Sequence, residues 1–455
     1  MDIINPANDS IITSITEDSI EVLSDKIDHL RLGQKDWAIQ TVKHRLECIV
    51  RFGELVLENV NELATILTEE TGKPIQQSIN EIKGAQNRIE HLKLNAEKWL
   101  AEEVIEGLET TYEKIIYEPL GVICNISAWN FPYNVGYNVF LYALVAGNAV
   151  AYKPSEYATL TGLQFQKLLY EAGVPENVFH CIIGGAEVGE YLLESDFDGY
   201  FFTGSHKTGQ YIAKKVAHKL VPVQLELGGK DPLYVMEDVA DVKIAAINAA
   251  EGAFYNNGQS CCALERIYVH AAIYDEFVKE LVKEVNNYKM GDPLDKETFI
   301  GPLTRKAQLP ILQHQVEDAL TKGGVLMTGG TEVNNSGNYF EPTVFKDANH
   351  EMKLMREESF GPIIGIQKVN NDEQAIDLMK DSEYGLTSAV FSTSRTRADH
   401  VFDQMNSGTV YWNCCDRVSP NVPWSGRKNS GLGATLSVQG IRAFTLPKAY
   451  HWREV

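Results

Sequence analysis

Gly258-Gln259-Ser260-Cys261 follows a helical stretch and precedes the apolar run Arg266 to Val269, which puts a cysteine at the boundary between two elements. A thiol so placed can be exposed, and it needs only a modest fall from a pKa of about 8.5 to become a nucleophile. A buried structural cysteine is the ordinary alternative. Leu225-Glu226-Leu227-Gly228-Gly229 sets a carboxylate into an apolar strand end. Burial there raises its pKa and suits it to general-base work near neutrality, the alternative being an ion pair with Lys230. Lys153-Pro154-Ser155-Glu156 ends another apolar run. Its Glu could accept both hydroxyls of an adenosine ribose, and its Lys could donate to the same sugar; otherwise the two are a solvated pair. Gly204-Ser205-His206-Lys207-Thr208-Gly209 has the glycine spacing of a phosphate loop, but Gln210 stands where such a loop needs Lys. What remains is a turn opening a helix, whose free amides could hold a pyrophosphate. From this spacing alone a plain turn glycine is the ordinary reading.

The elements that position these residues alternate. From Gly121 to Leu227, VICNIS, AVAYK, VFHCII, YFFTG and VQLEL are separated by the helical segments Pro132 to Ala146, Thr159 to Ala172, Ala186 to Glu194 and Lys207 to His218. Five strands with intervening helices predict a parallel, doubly wound sheet, which binds ligands at the carboxyl ends of its strands. A second alternating region begins at Asp241, which can cap a helix from Val242 to Tyr255, and runs to about Ser430. Residues 17 to 103 read as helices, the clearest being Val42 to Thr71, ended by Gly72 and Pro74. Thr110 to Glu118 reads as a solvent-facing strand, and Phe444 to Val455 as extended chain. Pro119 to Tyr152 carries no charge, yet its scattered asparagines and Pro132 fit a buried strand, turn and helix better than a membrane span.

Of the 455 residues, 41 Lys plus Arg face 62 Asp plus Glu, for a formal charge of −21. Hydrophobic content of 44% with 35 Gly and 16 Pro is ordinary globular usage, which excludes a disordered or collagenous chain. The acidic balance argues against a nucleic-acid partner, because phosphate binding needs a basic face. Seven cysteines, without C-x-x-C spacing, predict a reducing, cytoplasmic setting and no metal site. The first 25 residues contain neither Lys nor Arg, unlike a secretory or transit leader.

Seven motifs in order carry a resemblance over nearly the whole chain: Trp129-Asn130-Phe131-Pro132, Lys153-Pro154-Ser155-Glu156, Phe202-Thr203-Gly204-Ser205, Leu225-Glu226-Leu227-Gly228-Gly229-Lys230, Gly258-Gln259-Ser260-Cys261, Glu358-Ser359-Phe360-Gly361-Pro362, and Pro423-Trp424-Ser425-Gly426-Arg427-Lys428 with Ser430-Gly431. Together they resemble the aldehyde dehydrogenase superfamily. The resemblance implies an α/β fold in three parts. A Rossmann-like NAD-binding domain would take residues 1–109 and 122–227, an α/β catalytic domain 228–430, and a small β oligomerisation element 110–121 with 431–455. It also implies roles. Cys261 attacks the aldehyde carbon, and the oxyanion of the thiohemiacetal is held by the Asn130 side chain and the Cys261 backbone N–H. After hydride transfer, Glu226 activates the water that hydrolyses the thioester. Lys153 and Glu156 hold the adenosine ribose, with NAD favoured over NADP. Ser205, with Gly204 and Gly209, serves the pyrophosphate, Glu358 the nicotinamide ribose, and Phe360, Trp129 and Leu227 the same cofactor.

The same alignment lines the substrate tunnel with Phe131, Val135, Asn138, Ser260, Cys262, Arg417, Val418 and Trp424. An inward Arg417 would pair with the carboxylate of a semialdehyde; an outward one is a solvated loop charge. Many relatives carry an acidic residue at Thr435 and Lys at Val139, so the proton-relay or ion-binding pair these form is missing here. The resemblance therefore predicts an NAD-dependent enzyme acting on a small or medium aliphatic aldehyde or semialdehyde, assembled as a homodimer or homotetramer. An acylating enzyme using coenzyme A is the alternative that Glu226 argues against. A catalytically silent binding relative is the one that intact Cys261, Glu226 and Asn130 argue against.

Overall fold

The computed structural model describes residues 1–105, 110–333 and 337–453. At its centre is a six-stranded sheet whose neighbours run Gly431–Leu432, Val223–Glu226, Gly199–Thr203, Val122–Ile126, Ala149–Lys153 and Phe179–Cys181. The five strands from 122 to 226 are mutually parallel, as expected, and Gly431–Leu432 adds antiparallel at one edge. Chain order reverses at Val122–Ile126. The next two strands build outward on one side and the following two on the other, so the carboxyl end of this strand is the switch point where doubly wound sheets bind ligands.

The uncharged stretch becomes the buried strand Val122–Ile126, the helix Pro132–Ala146 and the strand Ala149–Lys153. That helix is apolar on every face because it is packed on every face, with Pro at its start and Gly147 in the left-handed conformation at its end. Its buried N-terminus is capped from outside. The Glu81 carboxylate accepts the amides of Tyr133 (2.9 Å) and Asn134 (3.4 Å), and is itself ion-paired with buried Lys73. Among the described residues, no helix is long and apolar enough to cross a membrane.

A seven-stranded sheet follows, ordered Val325–Thr328, Thr343–Lys346, Ile363–Val369, Leu264–His270, Asp231–Val235, Thr387–Phe391 and Thr409–Trp412, parallel except for its first pair. A third sheet joins Glu103–Ile105, Thr111–Pro119 and Thr445–Arg453 in antiparallel register. The helix expected over Val42 to Thr71 is broken. It is two helices, Val42–Glu58 and Val60–Thr71, because Asn59 turns its own side chain back onto the Leu55 carbonyl at 2.8 Å. The apolar face continues across the break, which is why periodicity alone did not reveal it. Residues 431–442 lie with the six-stranded sheet and its helices rather than with the third sheet, since Gly431–Leu432 pairs with Glu226–Leu225. The expected boundary at 109 and the final residues 454–455 lie outside the described residues.

Candidate active site

Cys261 ends a loop held in an unusual conformation. Asn256, Asn257 and Gly258 all adopt positive φ (52°, 57° and 70°) between the helix Val242–Phe254 and the strand Leu264–His270. Asparagine and glycine are the residues that tolerate this region. At Gly258 no other residue fits, because a Cβ would collide with the Gly361 carbonyl. The loop is fixed by its side chains: Asn257 donates to the Pro302 carbonyl (2.9 Å), and the Gln259 carboxamide accepts from Thr304 N (3.0 Å).

Cys261, Asn130 and Glu226 wall one cavity of about 260 Å³, shared with Trp129, Gly204, Ser205, Leu227, Glu358, Phe360 and Trp424. Cys261 is half-buried there. One N–H of the Asn130 amide donates to the Gln259 carbonyl at 3.1 Å. An amide nitrogen carries two hydrogens, so this bond orients the side chain and leaves the second for the cavity. Glu226 is pushed up to about 7, by burial first, against the lowering effects of a hydrogen bond from Thr435 and the charge of Arg88. Its expected alternative partner is taken elsewhere, as Lys230 pairs with buried Glu265 and donates to Ser359 Oγ at 3.0 Å. Glu265 also accepts the amides of Ser359 and Phe360 at 2.9 and 3.0 Å. It thereby shapes the turn that carries Glu358 and Phe360. Glu358 accepts from Gly229 N (3.1 Å) and fills the space a Cβ on Gly228 would need. Burial, then repulsion from Glu265, pushes Glu358 up to about 8.

A second hollow, of about 360 Å³, opens at the carboxyl ends of three adjacent strands. It is lined by Ser127, Trp129, Lys153, Glu156, Gly204, Ser205 and Arg305, among others. Ser205 caps the helix His206–Val216, accepting from Thr208 N at 3.4 Å, and that helix has no acidic residue in its first turn. Trp129 packs edge-on against Phe360, with ring centroids 5.5 Å apart. Gly209 is not on the wall. It is a glycine because the Leu227 side chain occupies the Cβ position, so its role is packing of the helix on the sheet. Arg305, which lines both hollows, was not foreseen, and nothing in its local sequence marks it.

The expected tunnel residues divide. Trp424 lines the cavity with Cys261, and Val418 packs in the same apolar cluster. Phe131 and Arg417 line a third hollow of about 380 Å³, together with Glu81, Asn134, Glu251, Tyr255 and Asp416. Arg417 is exposed there. Ser260 and Cys262 both turn to Asp416, at 3.1 and 3.0 Å. Hydrogen bonding to Cys261, then burial and the Asp416 charge, pushes the Cys262 thiol well up. Val135 is buried, and Asn138 is engaged by Arg88 Nε at 2.6 Å. All seven cysteines are free thiols. Among the described residues, no three His, Cys, Asp or Glu side chains gather as a metal shell.

The family model for the aldehyde dehydrogenase family matches residues 1–450. The chain belongs to this family. As an aldehyde dehydrogenase it is an oxidoreductase, and aldehyde oxidation is its reaction class. It is 33% identical over 451 residues to the betaine aldehyde dehydrogenase of Bacillus subtilis (strain 168), covering 97% of this chain and 92% of that one. It is 35% identical over 451 residues to the peroxisomal aminoaldehyde dehydrogenase 2 of Pisum sativum, covering 96% and 90%. The crystal structure of betaine aldehyde dehydrogenase from Staphylococcus aureus in complex with NAD+ superposes with a TM-score of 0.95 at 30% identity, covering 100% of this chain and 92% of that one. The α/β architecture of this aldehyde dehydrogenase is thus that of solved members with the Rossmann-like fold.

Proposed function

We propose that this aldehyde dehydrogenase oxidises its substrate through a covalent cysteine intermediate and releases the free acid, with NAD as acceptor. The observation that carries the reading is the shared cavity, in which a half-buried thiol, an anchored amide and a carboxylate near 7 face the same space. Cys261 Sγ adds to the aldehyde carbon, and the resulting oxyanion takes the free Asn130 N–H together with the Cys261 amide. Glu226 then removes a proton from the water that hydrolyses the thioester. NAD, when bound, supplies the hydride acceptor. The residues fit it on this chain's own geometry. Glu156 and Lys153 stand at the end of the strand Ala149–Lys153, the helix N-terminus at Ser205 offers its amides, and Glu358 with Phe360 borders the thiol. The relative from Staphylococcus aureus, crystallised with NAD+, supports this choice.

For the substrate we favour a small or medium aldehyde with a neutral or cationic tail over a semialdehyde. The third hollow sets Glu251 and Asp416 beside the exposed Arg417, Glu81 being matched by buried Lys73, and the relatives named above are a betaine aldehyde and an aminoaldehyde dehydrogenase. The three sheets correspond to cofactor-binding, catalytic and assembly parts. Exposed Val104, Tyr112, Leu446 and Trp452 on the third sheet support a homodimer or homotetramer, and the seven unpaired thiols suit a reducing compartment. The deciding experiment is NAD reduction across betaine aldehyde, aminoaldehydes, aliphatic aldehydes and semialdehydes, without coenzyme A, beside Cys261→Ala. Acid formed by the parent and not by the variant is the expected result. Activity retained in Cys261→Ala, or a requirement for coenzyme A, overturns the reading.

A further inference from the structure

The general base has a side-chain partner that the reaction above does not use. Thr435 Oγ1 donates to Glu226 Oε1, with Thr435 wholly buried and Glu226 7% exposed. Both residues are held through their backbones by one short segment. Gly431–Leu432 pairs with Glu226–Leu225, and Leu227 N donates to the Ser430 carbonyl at 3.0 Å. Four residues on, Thr435 exchanges two backbone hydrogen bonds of 2.8 Å with Trp424, a wall of the Cys261 cavity. The hydroxyl is therefore delivered to the carboxylate by a framework that also builds the cavity.

A carboxylate has two oxygens, and fixing one fixes the direction of the other. We propose that Thr435 is a positioning residue for hydrolysis: by holding Oε1 it presents Oε2 to the water that attacks the acyl carbon on Cys261. In that step the water oxygen bonds to the carbon, its proton passes to Oε2, and the C–S bond breaks with its electron pair leaving on sulfur. The Glu226 proton then leaves for thiolate or solvent, and nothing is oxidised or reduced. The inference rests on the cysteine mechanism proposed above. The charged and titratable groups facing Glu226 are Arg88, from the helix Ile75–Leu100 and anchored on Asn138, with Cys261, Glu358 and Arg305 across the cavity. The hydroxyl and Arg88 both favour the charged carboxylate against burial.

The test is Thr435→Val, which removes only the donor, with Thr435→Ala as a second deletion and Thr435→Ser to restore it. Expected for the deletions is a burst of NADH equal to the enzyme present, followed by turnover slowed tenfold or more, because acylation is intact and hydrolysis is not. The acid limb of the hydrolysis profile moves up by about one to two pH units, the worth of one hydrogen bond to a charged group. In cofactor-free protein the Glu226 carboxyl band, isolated by infrared difference against Glu226→Gln, moves the same way. Thr435→Ser returns all three toward the parent. Parent-like kcat, pH limb and carboxyl band in the deletions overturn the inference, as does loss of burst and turnover together without rescue by Ser. Failure of the parent to form acid at all would instead sink the underlying mechanism.

Discussion

Replacing Asn130 by Ala should separate catalysis from stability, and the structure says by how much. Among the described residues the Asn130 side-chain amide makes one hydrogen bond, to the Gln259 carbonyl at 3.1 Å. That carbonyl does not depend on it, because Asn256 Nδ2 also donates there at 3.2 Å and to the Asn130 carbonyl at 3.0 Å. Both of those bonds survive truncation of the side chain. The stability cost is then that of one net hydrogen bond, about 1 kcal/mol. The catalytic cost is larger, since a preorganised donor facing a developing oxyanion is worth roughly 10²–10³ in rate. Calorimetry and stopped-flow NADH formation on the same preparations measure the two effects. The expected outcome is a melting point within a few degrees of the parent with acylation slowed at least a hundredfold. A variant within threefold of the parent rate, equally folded, would refute the assignment of Asn130 as oxyanion donor.

An aldehyde-mimicking or alkylating probe at neutral pH should label Cys261 and leave Cys262, whose thiol is held up by Cys261, burial and Asp416; peptide mapping that finds Cys262 modified first contradicts this. Buried Glu70 and Glu226 are pushed up to about 7, and Asp231 and Glu358 to about 8, in each case mainly by burial. Folded values above unfolded ones mean that the folded chain keeps protons the unfolded chain releases. This contribution is complete below about pH 4 and is lost as pH rises through 7 to 8. The melting temperature should therefore fall between pH 5.5 and 8.5, with a shallower slope in Asp231→Asn; an unchanged slope removes Asp231 from the account. Glu156→Gln should raise kcat/KM for NADP relative to NAD by relieving repulsion of a 2′-phosphate, and an unaltered ratio shows that discrimination lies elsewhere.

The cofactor sheet was legible in the sequence because each strand is a short apolar run and each crossover helix has its own stop signal. Pro132–Ala146, Ala149–Lys153 and Ala186–Glu194 fall where the pattern put them. The loop that carries Cys261 was legible as a motif but not as geometry, although Asn256-Asn257-Gly258 is a composition suited to left-handed backbone. What could not be read are the side-chain partnerships. Lys230 with Glu265, Arg88 with Asn138 and Thr435 with Glu226 are 35, 50 and 209 residues apart, and no local rule couples such positions. A weaker signal was present. Glu81 and Arg88 stand among Ile82, Ala85, Ile89 and Leu92 on the buried face of one helix, where a charge is costly unless it is paired. Charged residues at apolar-phase positions mark the polar framework of this site, though not which residues they join.

The global charge of −21 and the proposed anionic dinucleotide are reconciled by distance. At physiological ionic strength exposed charges are screened beyond about 8 Å, so the cofactor senses the walls of its hollow more than the acidic surface. Those walls carry Lys153 and Arg305 against Glu156 and Glu190, with the helix N-terminus at Ser205 as a further positive pole. Glu190 is already hydrogen-bonded by Tyr211 at 2.8 Å. Glu156 is exposed at the end of its strand, where the ribose hydroxyls of a dinucleotide lie on a sheet of this kind. The hollow is therefore close to neutral overall but divided by position. On the proposed placement the helix N-terminus at Ser205 would serve the pyrophosphate, and Lys153 with Glu156 the sugar. On the proposed placement of the cofactor, that division favours NAD over its 2′-phosphorylated form, because Glu156 would repel the added phosphate while a uniformly basic pocket would attract it.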